Sequence, residues 1–148
     1  MQLFSSTFRS GAEIPRRCGY KTRNVSPALQ VRKIPPETKS LALIMDDPDA
    51  MGAVGRVWTH WLVWSIDPSN AVAGEGTTFA GSKEGQTDFG KTGYGGPAPP
   101  DKRHTYVFKM YALDTVLNLS EGAKKQKLEA AIKGHIIDKA VLKGTFAP

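Results

Sequence analysis

Apolar positions along the chain fall into short runs, each stopped by an acid, a glycine or a proline. Residues 40–45 form a continuous apolar stretch behind Ser40 that ends in Asp46-Asp47-Pro48. Its length and punctuation predict a buried strand rather than a helix. Residues 58–66 are rich in aromatic and β-branched types and predict a second buried strand, ended by Asp67-Pro68. Residues 105–113 alternate, with Tyr106, Phe108 and Met110 against Val107, Lys109 and Tyr111, and predict a third. Weaker patterns give short strands at 3–8, 28–31 and 139–146. Helical periodicity is confined to 124–132, where Leu128, Ala131 and Ile132 share a face. Ser120 suits its N-cap and Gly134 its end. Residues 70–100 carry many glycines and prolines and little period, which predicts a functional loop region with one strand near 77–80. The element order predicts a mainly β, α+β domain, antiparallel, with a helix on its C-terminal side, and one domain over residues 1–148.

Charge changes this picture little. The net charge is +6, but residues 41–114 hold six Lys/Arg against nine Asp/Glu, so the basic residues lie on the flanks. A nucleic-acid binder concentrates Lys/Arg on one face with interleaved aromatics, and no such concentration is present. Cys18 is the only cysteine, which excludes an intrachain disulfide and a thiolate metal site. No secretory leader is visible, and the longest apolar stretch is far below a membrane span. We read the protein as cytoplasmic and not integral to a membrane.

Candidate chemistry gathers in three segments. Asp46, Asp47 and Asp49 follow a buried strand around Pro48, so alternation places Asp47 and Asp49 together and Asp46 opposite. His60 lies among Trp58, Trp61 and Trp64 in the second strand, where apolar surroundings would lower its pKa and a nearby Asp would raise it. Gly95-Gly96-Pro97-Ala98-Pro99-Pro100 is a stiff loop whose glycines allow close backbone approach and whose free amides could hold an oxyanion. His104 and Tyr106, two apart at a strand start, share a face and can donate to an anion. Asp47, Asp49, His60 and His104 could also form a two-histidine carboxylate metal set, but no tight metal motif occurs. There is no G-x-S-x-G, P-loop or dinucleotide fingerprint. The residues predict no catalytic group, no metal and no cofactor.

Taken in order, these segments resemble the phosphatidylethanolamine-binding protein family, in its short prokaryotic Raf kinase inhibitor-like branch. Asp46-Asp47-Pro48-Asp49-Ala50 resembles the first signature of the family. Residues 58–63 resemble its central strand, and Asp88-Phe89-Gly90 through His104-Thr105-Tyr106 resemble its second signature. Asn24 to Leu29, Pro35 to Ser40 and Tyr111 to Asp114 add flanking matches. The resemblance implies a central antiparallel sheet packed on a smaller one, with a small pocket for phosphate or carboxylate groups. It carries ligand binding over to Asp47, His60, His104 and Tyr106, with Gly96, Pro97 and Ala98 as a wall and Asp49 and Trp61 in support. Three positions depart from the pattern. Met51 stands for a usual proline, Thr105 for a usual arginine, and Ala98 for a frequent cysteine or proline. Losing the arginine removes a bidentate donor.

The expected function is a non-catalytic binding module for a phospholipid head group, a small metabolite or a partner's side chain. Cationic His60 and Tyr106 would donate to the anion and Asp47 would orient His60, so binding would weaken as pH rises through the histidine range. The alternative is a protease or kinase inhibitor acting through exposed loops such as 74–91. A hydrolase using the Asp/His set is the weaker reading. The resemblance also allows a homodimer.

Overall fold

The computed structural model describes residues 1–148 as two antiparallel sheets and a C-terminal helix. The strands are β1 Gln2–Phe4, β2 Leu29–Arg32, β3 Ser40–Asp47, β4 Trp58–Ile66, β5 Val72–Ala73, β6 Lys83–Glu84, β7 His104–Leu113 and β8 Ile136–Phe146. The helices are α1 Ala50–Val54 and α2 Lys125–Ile132. The large sheet runs β6-β4-β3-β7-β8 and the small one β1-β2-β5. No helix is long and apolar enough to cross a membrane.

β3 is apolar along its length because it lies at the centre and is covered on both faces. Leu41, Leu43 and Met45 join Trp61, Val63, Phe108 and Met110 in the core between the sheets, facing Leu3, Leu29 and Val31 of the small sheet. Ala42 and Ile44 face the other way, with Leu62 and Trp64, against Leu128 and Ile132 of α2. Each large apolar side chain buried in this way contributes roughly 1.5–3 kcal/mol. β7 alternates because α2 is short and leaves Val107, Lys109 and Tyr111 only half-buried.

The structure departs from the sequence pattern at five places. β1 stops at Phe4 because Ser5 turns its hydroxyl onto the Thr7 amide, a local bond that competes with the ladder. Phe8 still enters the core. Residues 77–80 are not a strand. Gly76 at φ 76° and Gly81 at φ 74° bracket them, and the segment turns around the buried Phe79. The strands near this region are β5 and β6 instead. Ser120 does not cap α2, because Gly122 at φ 86° breaks any helical path and donates its amide to Glu84 O. The helix begins after Lys124, which offers no side-chain cap. β8 starts earlier than the pattern predicts, at Ile136. Finally, α1 is a helix that the pattern did not show. It forms where Asp47 Oδ1 accepts from the Ala50 amide at 3.2 Å, and Gly55 at φ 79° ends it.

Candidate functional site

Chain alternation alone would put His60 on the wrong side of the sheet. Leu62 and Trp64 face α2, and His60 continues their series. A bulge intervenes. Met45 pairs with Trp61 but Asp46 pairs with Thr59, leaving His60 as the extra residue of β4. Bulges re-aim side chains in this way. The His60 ring instead meets Tyr106 edge-on, with centroids 5.1 Å apart, on the inter-sheet side.

The proline-stiffened loop then closes over that ring. Gly95 donates its amide to His60 O at 2.8 Å, and His60 Nδ1–H donates to Gly95 O at 2.7 Å. Asn24 holds the loop from outside, accepting from the Gly96 amide at 2.8 Å and donating to Tyr94 O at 3.2 Å. Tyr20 N donates to Pro97 O at 2.9 Å. Gly96 has no room for a side chain, because a Cβ there would run into the Cys18 carbonyl oxygen. Asp88 accepts from the Thr59 amide at 2.8 Å and so sets Phe89 beside the histidine, their centroids 5.4 Å apart. Tyr20 stacks flat on Phe89 at 3.8 Å.

These contacts enclose a cavity of about 270 Å³. Tyr20, Trp58, Phe89, Ala50, Ala53, Val54 and Pro100 make it mostly apolar, Asp47 and His60 give it a polar floor, and Lys21 brings a cation to its lining. Behind the floor, His104 is fully buried between two carboxylates. Its Nδ1–H donates to Asp47 Oδ2 at 2.6 Å and its Nε2–H to Asp101 Oδ1 at 2.7 Å. A carboxylate only accepts, so both ring nitrogens carry hydrogen and His104 is a cation. Burial opposes that charge, but the bonds to Asp47 and Asp101 outweigh it and hold the pKa above the usual histidine value. His60 is the reverse. Burial dominates and lowers its pKa, although the Gly95 carbonyl and Asp47 pull the other way. Tyr106 is buried, its hydroxyl has no hydrogen-bond partner, and burial together with the neighbouring Asp47 charge keeps it protonated.

Of the residues singled out from sequence, Asp47, His60 and Ala98 line the cavity, and His104 and Tyr106 stand directly behind it. The rest do other work. Gly96 fixes the loop. Pro97 lines an adjoining cavity of about 180 Å³, with Arg16 and Phe146, which shares Lys21, Ala98 and Pro100 with the first. Asp49 lies near the surface and accepts from the Thr105 amide at 2.8 Å, tying the turn before α1 to β7. Trp61 belongs to the inter-sheet core and donates to Glu84 Oε2 at 2.7 Å, away from the cavity. Asp46 does point the opposite way, as alternation requires, and is held by Lys109 and Lys125, each at 2.9 Å.

Two expectations are corrected. Asp47 orients His104, not His60, whose tautomer is set by a main-chain carbonyl. His60 is held neutral rather than cationic, because its burial is not matched by a hydrogen-bonded carboxylate. Both ring nitrogens of His104 are engaged by carboxylates. Tyr20 and Lys21 were missed, and nothing local in the sequence marks them. Asp101 had a signal, its spacing three residues before His104.

The model of the phosphatidylethanolamine-binding protein family matches residues 4–147. A UPF0098 protein of Methanothermobacter thermautotrophicus is 42% identical over 151 residues, covering 99% of this chain and 98% of that protein. A UPF0098 protein of Chlamydia trachomatis serovar D is 40% identical over 148 residues, with 99% and 98% covered. Among solved structures, the phosphatidylethanolamine-binding protein homologue CT736 of Chlamydia trachomatis superposes with a TM-score of 0.91 at 39% identity, covering 98% of this chain and 95% of that one. E. coli YbcL gives 0.90 at 27% identity, with 98% and 96% covered.

Proposed function

The chain belongs to the phosphatidylethanolamine-binding protein family, and on that footing we propose that it is a non-catalytic binding module whose cavity takes a small anionic group, phosphate-like or carboxylate, of a ligand or a partner protein. The observation that carries this reading is the cavity floor. His60 has one nitrogen tied to Gly95 O and the other without a protein partner, on a ring that lines an otherwise apolar cavity. A buried polar ring with one free position, walled by aromatics, is the usual composition of a ligand site. Asp47 shares the His104 cation with Asp101, which lies outside the lining, and Lys21 is the one cation of the lining itself. The volume is just under the usual lower bound of about 300 Å³ for ligand sites, which suits a head group and leaves an acyl chain outside.

The test is calorimetric titration of inorganic phosphate at about pH 6, where the ion is largely monoanionic. Saturable binding by the wild type, weakened about tenfold or more (~1.4 kcal/mol) in His60→Ala, is expected. Equal binding by the two proteins would remove His60 from the site. A smaller, salt-sensitive loss is expected for Lys21→Ala, because a charge at the lining acts through a screened field.

A further inference from the structure

The cavity floor is made of acceptors. His60 donates Nδ1–H to Gly95 O at 2.7 Å, so the neutral ring presents the Nε2 lone pair as its remaining polar position. Asp47 takes His104 Nδ1–H on Oδ2 and the Ala50 amide on Oδ1, and as a carboxylate it too only accepts. The charged and titratable groups around His60 are Asp46 and Asp47 on β3 and Tyr106 on β7, with the Gly95 and Gly96 carbonyls from the loop. Behind Asp47 stands the cationic His104. Lys21 is the only lysine or arginine in the lining. The unpartnered Tyr106 hydroxyl is a donor but stands behind the lining, so an oxyanion without a hydrogen would meet lone pairs at both polar side chains of the floor, His60 and Asp47.

We propose that the cavity selects the proton-bearing form of a phosphate monoester, its P–OH donating to His60 Nε2 and its anionic oxygens turned toward Lys21, and that it discriminates against phosphodiesters and carboxylates. This rests on the anion-site reading above and narrows it. A monoester has a second ionisation near pH 6, so its hydrogen-bearing monoanion is available close to neutrality at little cost. A carboxylic acid ionises near pH 4 and would have to be reprotonated. A diester has no proton to bring and must wait for one to reach His60, whose burial opposes that charge. The bound state holds one proton more than neutral His60 plus the free dianion. That proton comes from solvent, and the count is the same whether it rests on the phosphate oxygen or on Nε2.

The experiment is calorimetry of phenyl phosphate and of methyl phenyl phosphate, its diester, in paired buffers of different ionisation enthalpy. For the monoester, uptake of about one proton per ligand near pH 8 is expected, falling toward zero near pH 5, with affinity dropping about tenfold per pH unit above the ligand's own pKa. The diester is expected to bind at least about tenfold more weakly near pH 7. His60→Gln, which offers an amide donor that does not titrate, should bind both ligands alike and without proton uptake. A short-chain phosphatidate, a lipid monoester, separates the two sources of this chemistry. Binding as tight as phenyl phosphate points to a lipid head group, and weaker binding to a soluble metabolite, with the same proton count in both cases. Equal wild-type affinity for monoester and diester, or monoester binding without proton uptake near pH 8, would overturn the proposal while leaving the anion site standing. Absence of binding by every phosphate at every pH would overturn both.

Discussion

His60 and His104 flank the same tyrosine and are both buried, yet burial lowers the pKa of the first while two carboxylates raise that of the second. His104 has a carboxylate on each nitrogen, so its positive charge is held by two negative ones and it serves as part of the framework. His60 has a main-chain carbonyl on one nitrogen and an apolar cavity beside it, so it stays neutral and its second nitrogen has no protein partner. Burial alone does not decide what a histidine does. The number of acceptors that meet its two nitrogens decides it, and the position left over is where binding can occur.

The largest expected effect comes from removing the framework member. His104→Ala leaves Asp47, 3% exposed, as a buried charge without its cation, and should cost about 3–5 kcal/mol in urea unfolding. His60→Ala removes a neutral hydrogen bond and part of a ring's packing and should cost clearly less. Equal losses would break the contrast between the two histidines. Next comes Gly96→Ala, whose methyl meets the Cys18 carbonyl and should cost about 1–3 kcal/mol by overpacking. By displacing the loop that carries Gly95 O, it should also disturb the titration of His60 and spare that of His104, as read by NMR.

The pH dependence of stability is expected to have two limbs of opposite sign. The folded pKa of His60 lies below its unfolded value, so the unfolded chain binds the proton first, and stability falls as pH drops below about 6.5. The folded pKa of His104 lies above its unfolded value, so its contribution is complete below about 6.5 and is lost as pH rises through the raised folded value. Urea midpoints across that range in His60→Gln should lose the acid limb and keep the alkaline one. Retention of both limbs would assign the acid limb to other groups. The smallest effect is expected from Tyr106→Phe. The hydroxyl is buried without a partner, so its removal should change stability by no more than about 1 kcal/mol, and in the stabilising direction.

Much of this architecture is legible in the chain because a strand covered on both faces reads as an unbroken apolar run, as in β3, and a strand covered on one face alternates, as in β7. The resemblance of the ordered motifs placed them in the right fold. Asp47, His60 and Ala98, drawn from the same motifs, line one cavity. The inverted roles of the two histidines were not legible. They depend on the bulge at His60, which a one-residue register step creates, and on a loop about 35 residues further along that brings Gly95 O to the ring. The missed N-terminus of α2 turns on Gly122, whose positive φ is set by a contact with Glu84 on another element. Tyr20 and Lys21 reach the cavity only because Asn24 and Pro97 pin their segment to the loop.

The most direct measurement is an NMR pH titration of the three histidine side chains, His60, His104 and the exposed His135, assigned by His60→Gln and His135→Gln, with and without phosphate. Without phosphate, His60 is expected to titrate below about 6.5 and His104 above it, and added phosphate should raise His60 while leaving His104 in place. A His60 that titrates at or above the ordinary value without phosphate, or that phosphate does not move, would contradict a neutral histidine held ready for an anionic ligand.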